Sequence, residues 1–132
     1  MSEQTIQDAL YSEPVMMDKY TCYSLGATTI RNLMDMGMIK KYPLSKNYGK
    51  KPDVIIVDNY TLDVIAYIEM KLPTELNTEK KIEKAYWQEI DVAKDIKANI
   101  YIVSDGDKFY WYNPLTGNKV QEYDKYNINM KC

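Results

Sequence analysis

Apolar positions along the chain follow two different periods, and each change of period marks a predicted element. Between about residues 25 and 39 they recur at near-helical spacing, which predicts a helix ending before a lysine-rich segment with Pro43 and Gly49. Residues 54–57 are β-branched throughout, residues 58–63 are turn-like, and residues 64–68 are again rich in strand-forming side chains. This second pattern predicts a β-hairpin.

The second half of the chain repeats the sequence of helix and strands. From about residue 78 to residue 97 the apolar side chains fall on one stripe, which predicts a long amphipathic helix. Residues 100–103 and 108–112 are typical of strands, and the turn residues 104–107 separate them. The order αββαββ predicts an α/β (α+β) fold with a mixed central β-sheet flanked by helices.

Length and composition limit the protein to a small folded class. A chain of 132 residues is about one domain, so we expect a single domain over residues 1–132, with an N-terminal extension (1–24), a core (25–112) and a C-terminal tail (113–132). No apolar run approaches the roughly 20 residues that span a bilayer, and the N-terminus lacks a signal-peptide pattern. We therefore expect a cytoplasmic protein without a membrane partner.

The residue types present restrict the chemistry. The chain has no histidine, which excludes Ser-His-Asp and Cys-His catalysis and His-ligated zinc. Cys22 and Cys132 fit neither a disulfide framework nor a zinc spacing, and we expect free thiols. Any catalysis must then use carboxylates, lysine or tyrosine.

Charge is distributed unevenly, although the net charge is only −2. Residues 39–51 carry lysines without an acid and lead directly into Asp53. One interpretation is a solvated loop that aids solubility, and the other is contact with nucleic-acid phosphates. The candidate nucleic-acid-binding residues in this stretch are Lys40, Lys41, Lys46, Lys50 and Lys51.

Asp53 and Glu69 lie near the open end of the predicted hairpin. A hairpin centred on Thr61 pairs these two acids directly, with Cβ atoms about 4.5–5.5 Å apart, where like charges destabilise a sheet. Lys71 follows on the same strand face as Glu69. Two such carboxylates can bind Mg²⁺ or Mn²⁺, and the lysine can stabilise phosphate charge. The structural alternative is an ion pair at a sheet end, worth about 0–1 kcal/mol.

Pro52-Asp53 followed by Glu69-Met70-Lys71 resembles the signature of the PD-(D/E)xK nuclease superfamily. More narrowly, residues 28–112 resemble the N-terminal nuclease domain of type I restriction enzyme R subunits. The segments that carry this resemblance are TTIRNLMDMGMI, KPDVIIVD with AYIEMKLP, and NIYIVSDGDKFYWYN.

The resemblance implies a restriction-endonuclease-like core and a Mg²⁺-dependent endodeoxyribonuclease, with Mn²⁺ as a substitute, of the restriction or foreign-DNA-processing type. It assigns Asp53 and Glu69 as metal ligands together with the backbone carbonyl of Met70, and Lys71 as the catalytic lysine. It also suggests Gln88 as a substrate contact. The implied partner is DNA, and the many aromatic and methionine residues suit self-association as a homodimer.

The chain departs from this family in several places. Relatives often add an acid from the first helix, where YSLGATTIR has none, and Asp35 is a poorly placed candidate. Gln88 is not followed four residues later by tyrosine, and no phosphate loop of the GxxxxGK[ST] type occurs, so we expect no bound nucleotide cofactor. The alternative function is a catalytically inactive nuclease-fold module that binds DNA or protein, from a mobile element.

Overall fold

The computed structural model describes residues 15–16, 19–43 and 45–120. These residues form six strands, two α-helices and two short 3₁₀ helices. In chain order they are β1 (Val15–Met16), β2 (Tyr20–Ser24), α1 (Ile30–Asp35), a 3₁₀ helix (Lys46–Gly49), β3 (Val54–Asp58), β4 (Val64–Met70), a second 3₁₀ helix (Pro73–Glu75), α2 (Glu79–Asp95), β5 (Ile100–Ser104) and β6 (Phe109–Tyr112).

The strands form one mixed sheet in which spatial order follows chain order, β1 to β6. Every neighbouring pair is antiparallel except β4 and β5, which are parallel and joined by α2. A parallel pair requires such a crossover, because the chain must return to the same end of the sheet. The expected mixed α+β architecture is confirmed, and the sheet also extends through β2 and β1 into the predicted N-terminal extension.

The β3–β4 hairpin has the register that the sequence predicts at its open end. Val54 pairs with Ile68 and Ile55 with Tyr67, and the register shifts between Ile56 and Val57 near the turn. Extending the pairing one residue outward from Val54 brings Asp53 opposite Glu69. The irregularity lies towards the turn and therefore leaves this end of the hairpin in register.

The first helix is much shorter than predicted, whereas the second agrees with its prediction. Thr29 caps α1 by accepting a hydrogen bond from Asn32 N at 3.2 Å, and Gly37 follows the helix with a φ of +73°, a conformation that favours glycine. Before the cap, Leu25 N donates to Asp53 O at 2.8 Å. The apolar residues on either side of α1 therefore pack as extended or turning chain rather than as helix.

The sheet has an apolar cluster on each face. Both described helices pack on one face, where α1 and α2 bury Ile30, Leu33, Ile82 and Tyr86 against β3, β4 and β5. The other face carries a second buried cluster that includes Cys22, Ile56 and Ile68. Cys22 is disulfide-bonded, so the expectation of a free thiol there is wrong. No helix among the described residues is both long enough and apolar enough to cross a membrane.

Candidate functional site

Asp53, Glu69 and Lys71 meet at the open end of the hairpin, beneath α2. Alternation along a strand puts Asp53 on the same face as Ile55, and Glu69 on the same face as Tyr67. Ile55 and Tyr67 both belong to the cluster that the helices cover. The two acids are therefore directed into a partly enclosed space between sheet and helix rather than into open solvent.

The two carboxyl groups form a coupled pair. Asp53 Oδ2 accepts a hydrogen bond from Met70 N at 2.8 Å, and the Asp53 and Glu69 side chains are hydrogen-bonded to each other. Burial raises the pKa of Asp53. Burial also raises the pKa of Glu69 well above its ordinary value, and the neighbouring charge of Asp53 raises it further. A hydrogen bond between two carboxyl groups needs a shared proton, so the pair favours holding one.

Among the predicted residues, Lys71 is the lysine whose positive charge acts on this pair. Its charge opposes the upward shift in the pKa of both Asp53 and Glu69. Lys71 Nζ donates to Gln88 Oε1 at 3.0 Å, so α2 holds the ammonium group in place. The sequence predicts Gln88 as a substrate contact, and in the structure its side chain accepts the hydrogen bond from Lys71.

Glu89 on α2 is a third acid of the site, and the sequence analysis missed it. Its charge contributes to the raised pKa of Glu69, and its Oε2 atom is buried without a hydrogen-bond partner. A signal was present in the sequence, because Glu89 occupies the apolar stripe of α2 between Tyr86 and Ala93. An acid on a core-facing stripe is unusual enough to mark a functional candidate.

Two tyrosines lie close to the acids on the same face of the sheet. The rings of Tyr67 and Tyr101 stack with their centroids 5.7 Å apart. Burial, followed by the charges of Glu69 and Glu89, raises the pKa of both hydroxyl groups. Tyr101 is fully buried and its hydroxyl has no hydrogen-bond partner. Both phenols therefore stay protonated and are available as neutral donors beside the carboxylates.

The predicted basic stretch is divided between the two ends of the hairpin. Lys40 pairs with Asp63 beside the β3–β4 turn, far from Asp53 along the strand. Lys50 and Lys51 are exposed and immediately precede Pro52-Asp53, and Lys50 O accepts a hydrogen bond from Ile30 N at 3.0 Å. Only this second pair lies next to the acids in the chain.

The remaining predicted residues of this stretch and its helix lie elsewhere. Lys46 is exposed in the first 3₁₀ helix. Lys41 and the exposed Asp35 line a cavity of about 160 Å³ beside α1, together with Arg31 and Tyr48. Asp35 is not among the groups whose charges act on Asp53 or Glu69. The additional acid beside the pair therefore comes from α2 and not from α1.

Met70 contributes its main chain to the site and its side chain to the opposite face. The amide of Met70 binds Asp53, as described above, while its fully buried side chain belongs to the second apolar cluster. Strand alternation requires this division. The identity of the side chain at position 70 is therefore constrained by packing on the far face of the sheet.

The donor set fits a hydrated divalent cation better than a closed metal cage. Over the described ranges, no group of three or more Asp, Glu, His or Cys side chains is arranged to hold a metal ion. Mg²⁺ commonly uses only one or two carboxylates and keeps several waters, and carboxylate oxygens are also good ligands for Mn²⁺. The unpartnered oxygen of Glu89 adds negative charge that a cation would offset.

No family model, curated protein or solved structure matches this chain.

Proposed function

We propose that the protein is a metal-dependent nuclease that hydrolyses DNA phosphodiester bonds, of the restriction or foreign-DNA-processing type. The observation that carries this proposal is the convergence of Asp53 and Glu69, beside Lys71 and Glu89, on one helix-covered face of the sheet. Burying carboxyl groups so close together is costly unless they are neutralised. An ion pair of Lys71 with Asp53 or Glu69 would account for the lysine, but it would not account for Glu89 as a third acid beside them.

Each residue has a distinct task in this proposal. The Met70 amide fixes one oxygen of Asp53, which orients the other towards Glu69. Gln88 accepts a hydrogen bond from Lys71 and so positions the Lys71 ammonium group. This group would stabilise negative charge on the phosphate as water attacks phosphorus and a P–O ester bond breaks. Asp53 and Glu69 would hold a Mg²⁺ or Mn²⁺ ion. When bound, such an ion neutralises phosphate charge and acidifies the attacking water.

The test is cleavage of supercoiled plasmid and of single-stranded DNA in Mg²⁺, Mn²⁺ or EDTA. Asp53→Asn keeps an oxygen that can accept from Met70 N, and Lys71→Met keeps most of the length of the side chain, so both variants should fold. We expect each to lose cleavage activity about a hundredfold or more, as is typical when a preorganised electrostatic group is removed.

Asp91→Asn is the matched control, because Asp91 is an exposed residue of the same helix that presents Gln88 and Glu89. It should cleave as the wild type does. Cleavage that persists in EDTA, or full activity in either site variant, would contradict the proposal. If the protein binds DNA but cleaves it in none of these conditions, the result would instead favour the catalytically inactive binding module.

A further inference from the structure

A groove extends from the site along the first half of α2. Its volume is about 190 Å³, and it lies between α2 and the 3₁₀ helix that follows β4. The residues that line it are Lys71, Thr74, Glu75, Lys81, Lys84, Ala85 and Gln88. Lys71 and Gln88 belong to both the site and the groove, so the groove is continuous with the place where the acids converge.

The groove is positively charged, in contrast to the protein as a whole. Three lysines line it against one acid, Glu75, whose Oε1 accepts a hydrogen bond from Leu72 N at 3.0 Å. Lys81 Nζ donates to Thr74 O at 3.0 Å and is held along the wall. Lys84 is exposed and forms no ion pair with any described residue. This local excess of positive charge occurs in a chain of net charge −2.

The spacing of the polar side chains suits a chain of phosphates. Lys81, Lys84 and Gln88 lie on one face of α2, because residues three and four apart are neighbours on a helix. From Lys81 to Gln88 the helix advances about 10 Å at its usual rise. One strand of B-DNA advances about 3.4 Å along its axis from one phosphate to the next, so a row of this length lying parallel to that axis spans about three phosphate-to-phosphate steps.

We propose that this groove binds the phosphate backbone of the DNA strand that enters the site, an inference that rests on the function proposed above. Lys81 and Lys84 contact phosphates beside the bond to be cut, and Lys71 contacts the phosphate at that bond. The main path of the DNA then follows α2 and not the stretch from Lys40 to Lys46, since Lys40 is paired with Asp63 at the other end of the hairpin.

Fluorescence anisotropy with a short labelled duplex, in EDTA and over a series of salt concentrations, tests this path without requiring cleavage. The variant is Lys81→Gln/Lys84→Gln, which removes both positive charges and keeps polar, helix-compatible side chains. The slope of log affinity against log salt is negative, and each lost phosphate contact reduces its magnitude by about 0.9. We therefore expect the magnitude of the slope to fall by about 2, and the affinity at moderate salt to fall about tenfold or more.

Two charge-matched double variants serve as controls. Lys80→Gln/Lys94→Gln removes two exposed lysines from the same helix outside the groove, and Lys41→Gln/Lys46→Gln removes two lysines of the predicted stretch. Both should keep a salt slope close to that of the wild type. The proposal that the groove binds DNA would be wrong if the groove variant kept the wild-type salt slope, or if the Lys80/Lys94 control lost as much of the slope. It would also be wrong if the wild-type protein bound no DNA. If the groove lysines are needed for DNA binding but the protein does not cleave DNA, the proposed DNA path stands and the proposed nuclease activity is wrong.

Discussion

The half-buried pair of Asp53 and Glu69 makes the stability of the folded protein depend on pH. Burial raises the pKa of both carboxyl groups in the folded state, while in the unfolded chain they titrate near pH 4. At these two groups the folded protein therefore binds more protons than the unfolded chain above that pH. The contribution of this pair to stability is fully present below the unfolded pKa and is lost as pH rises through the folded pKa of Glu69.

Glu69→Gln removes the part of this pH dependence that comes from Glu69, because the amide cannot ionise. We expect the variant to be more stable than the wild type at about pH 8 in EDTA, by about 1.4 kcal/mol for each unit of pKa shift removed, and the difference to shrink towards pH 4. Urea unfolding at both pH values measures it. Asp58 and Asp63 have lowered pKa values and oppose the trend, but they cancel in the comparison. Equal pH profiles for the two proteins would contradict this prediction, and Asp91→Asn controls for the loss of a surface charge.

The sequence alone predicted which residues of the hairpin lie together at the candidate site, but it did not predict which residues of α2 lie beside them. Asp53, Glu69 and Lys71 could be placed because strand alternation and hairpin register are local rules that the observed pairing follows. Glu89 could not be placed in the same way, since its position over Glu69 depends on how α2 lies across the sheet. Lys81 and Lys84 required the same information, because a groove exists only where two packed elements meet.

The elements differ in how well their local sequence predicts them. The long helix α2 was predicted closely, since its apolar stripe continues over many turns. The prediction for α1 was too long, because apolar residues beside a short helix were counted as part of its stripe. Strand β2 was not predicted, and it forms by pairing along the whole length of β3. A long periodic segment can be predicted from its own sequence, whereas the formation of a short strand depends on the strands that pair with it.

The first 3₁₀ helix is anchored by Asp95 at the end of α2. Asp95 Oδ2 accepts hydrogen bonds from Ser45 Oγ and, at 2.6 Å, from Asn47 Nδ2. Asp95→Ala removes both, and we expect a loss of about 1–3 kcal/mol in the free energy of unfolding. Amide hydrogen exchange at Lys50 should also accelerate, because its amide donates to Asn47 O. Asp91→Ala, one turn earlier and exposed, should change neither quantity. Unaltered exchange in Asp95→Ala would show that other contacts hold this helix.

For the molecule as a whole, α2 connects all the features described. Its first half lines the basic groove, its middle presents Gln88 and Glu89 to the acids, and its end holds the 3₁₀ helix that leads to Lys50. Because the same helix covers the apolar face of the sheet, the candidate site lies against the larger hydrophobic cluster. A cation that binds at Asp53 and Glu69 should therefore stabilise the entire fold and not a loop alone.

Mg²⁺ or Mn²⁺ should consequently raise the melting temperature of the wild-type protein. A ligand present at about a hundred times its dissociation constant adds about 2.7 kcal/mol, which for a chain of this size is about 10 °C. The increase should be greater at neutral pH than near pH 5, because the proton favoured by the buried carboxyl pair competes with the cation. Thermal unfolding with and without metal at both pH values measures this, with Asp53→Asn losing the increase and Asp91→Asn retaining it. A metal effect of equal size in Asp53→Asn, or none in the wild type, would place the cation elsewhere or exclude it from this site.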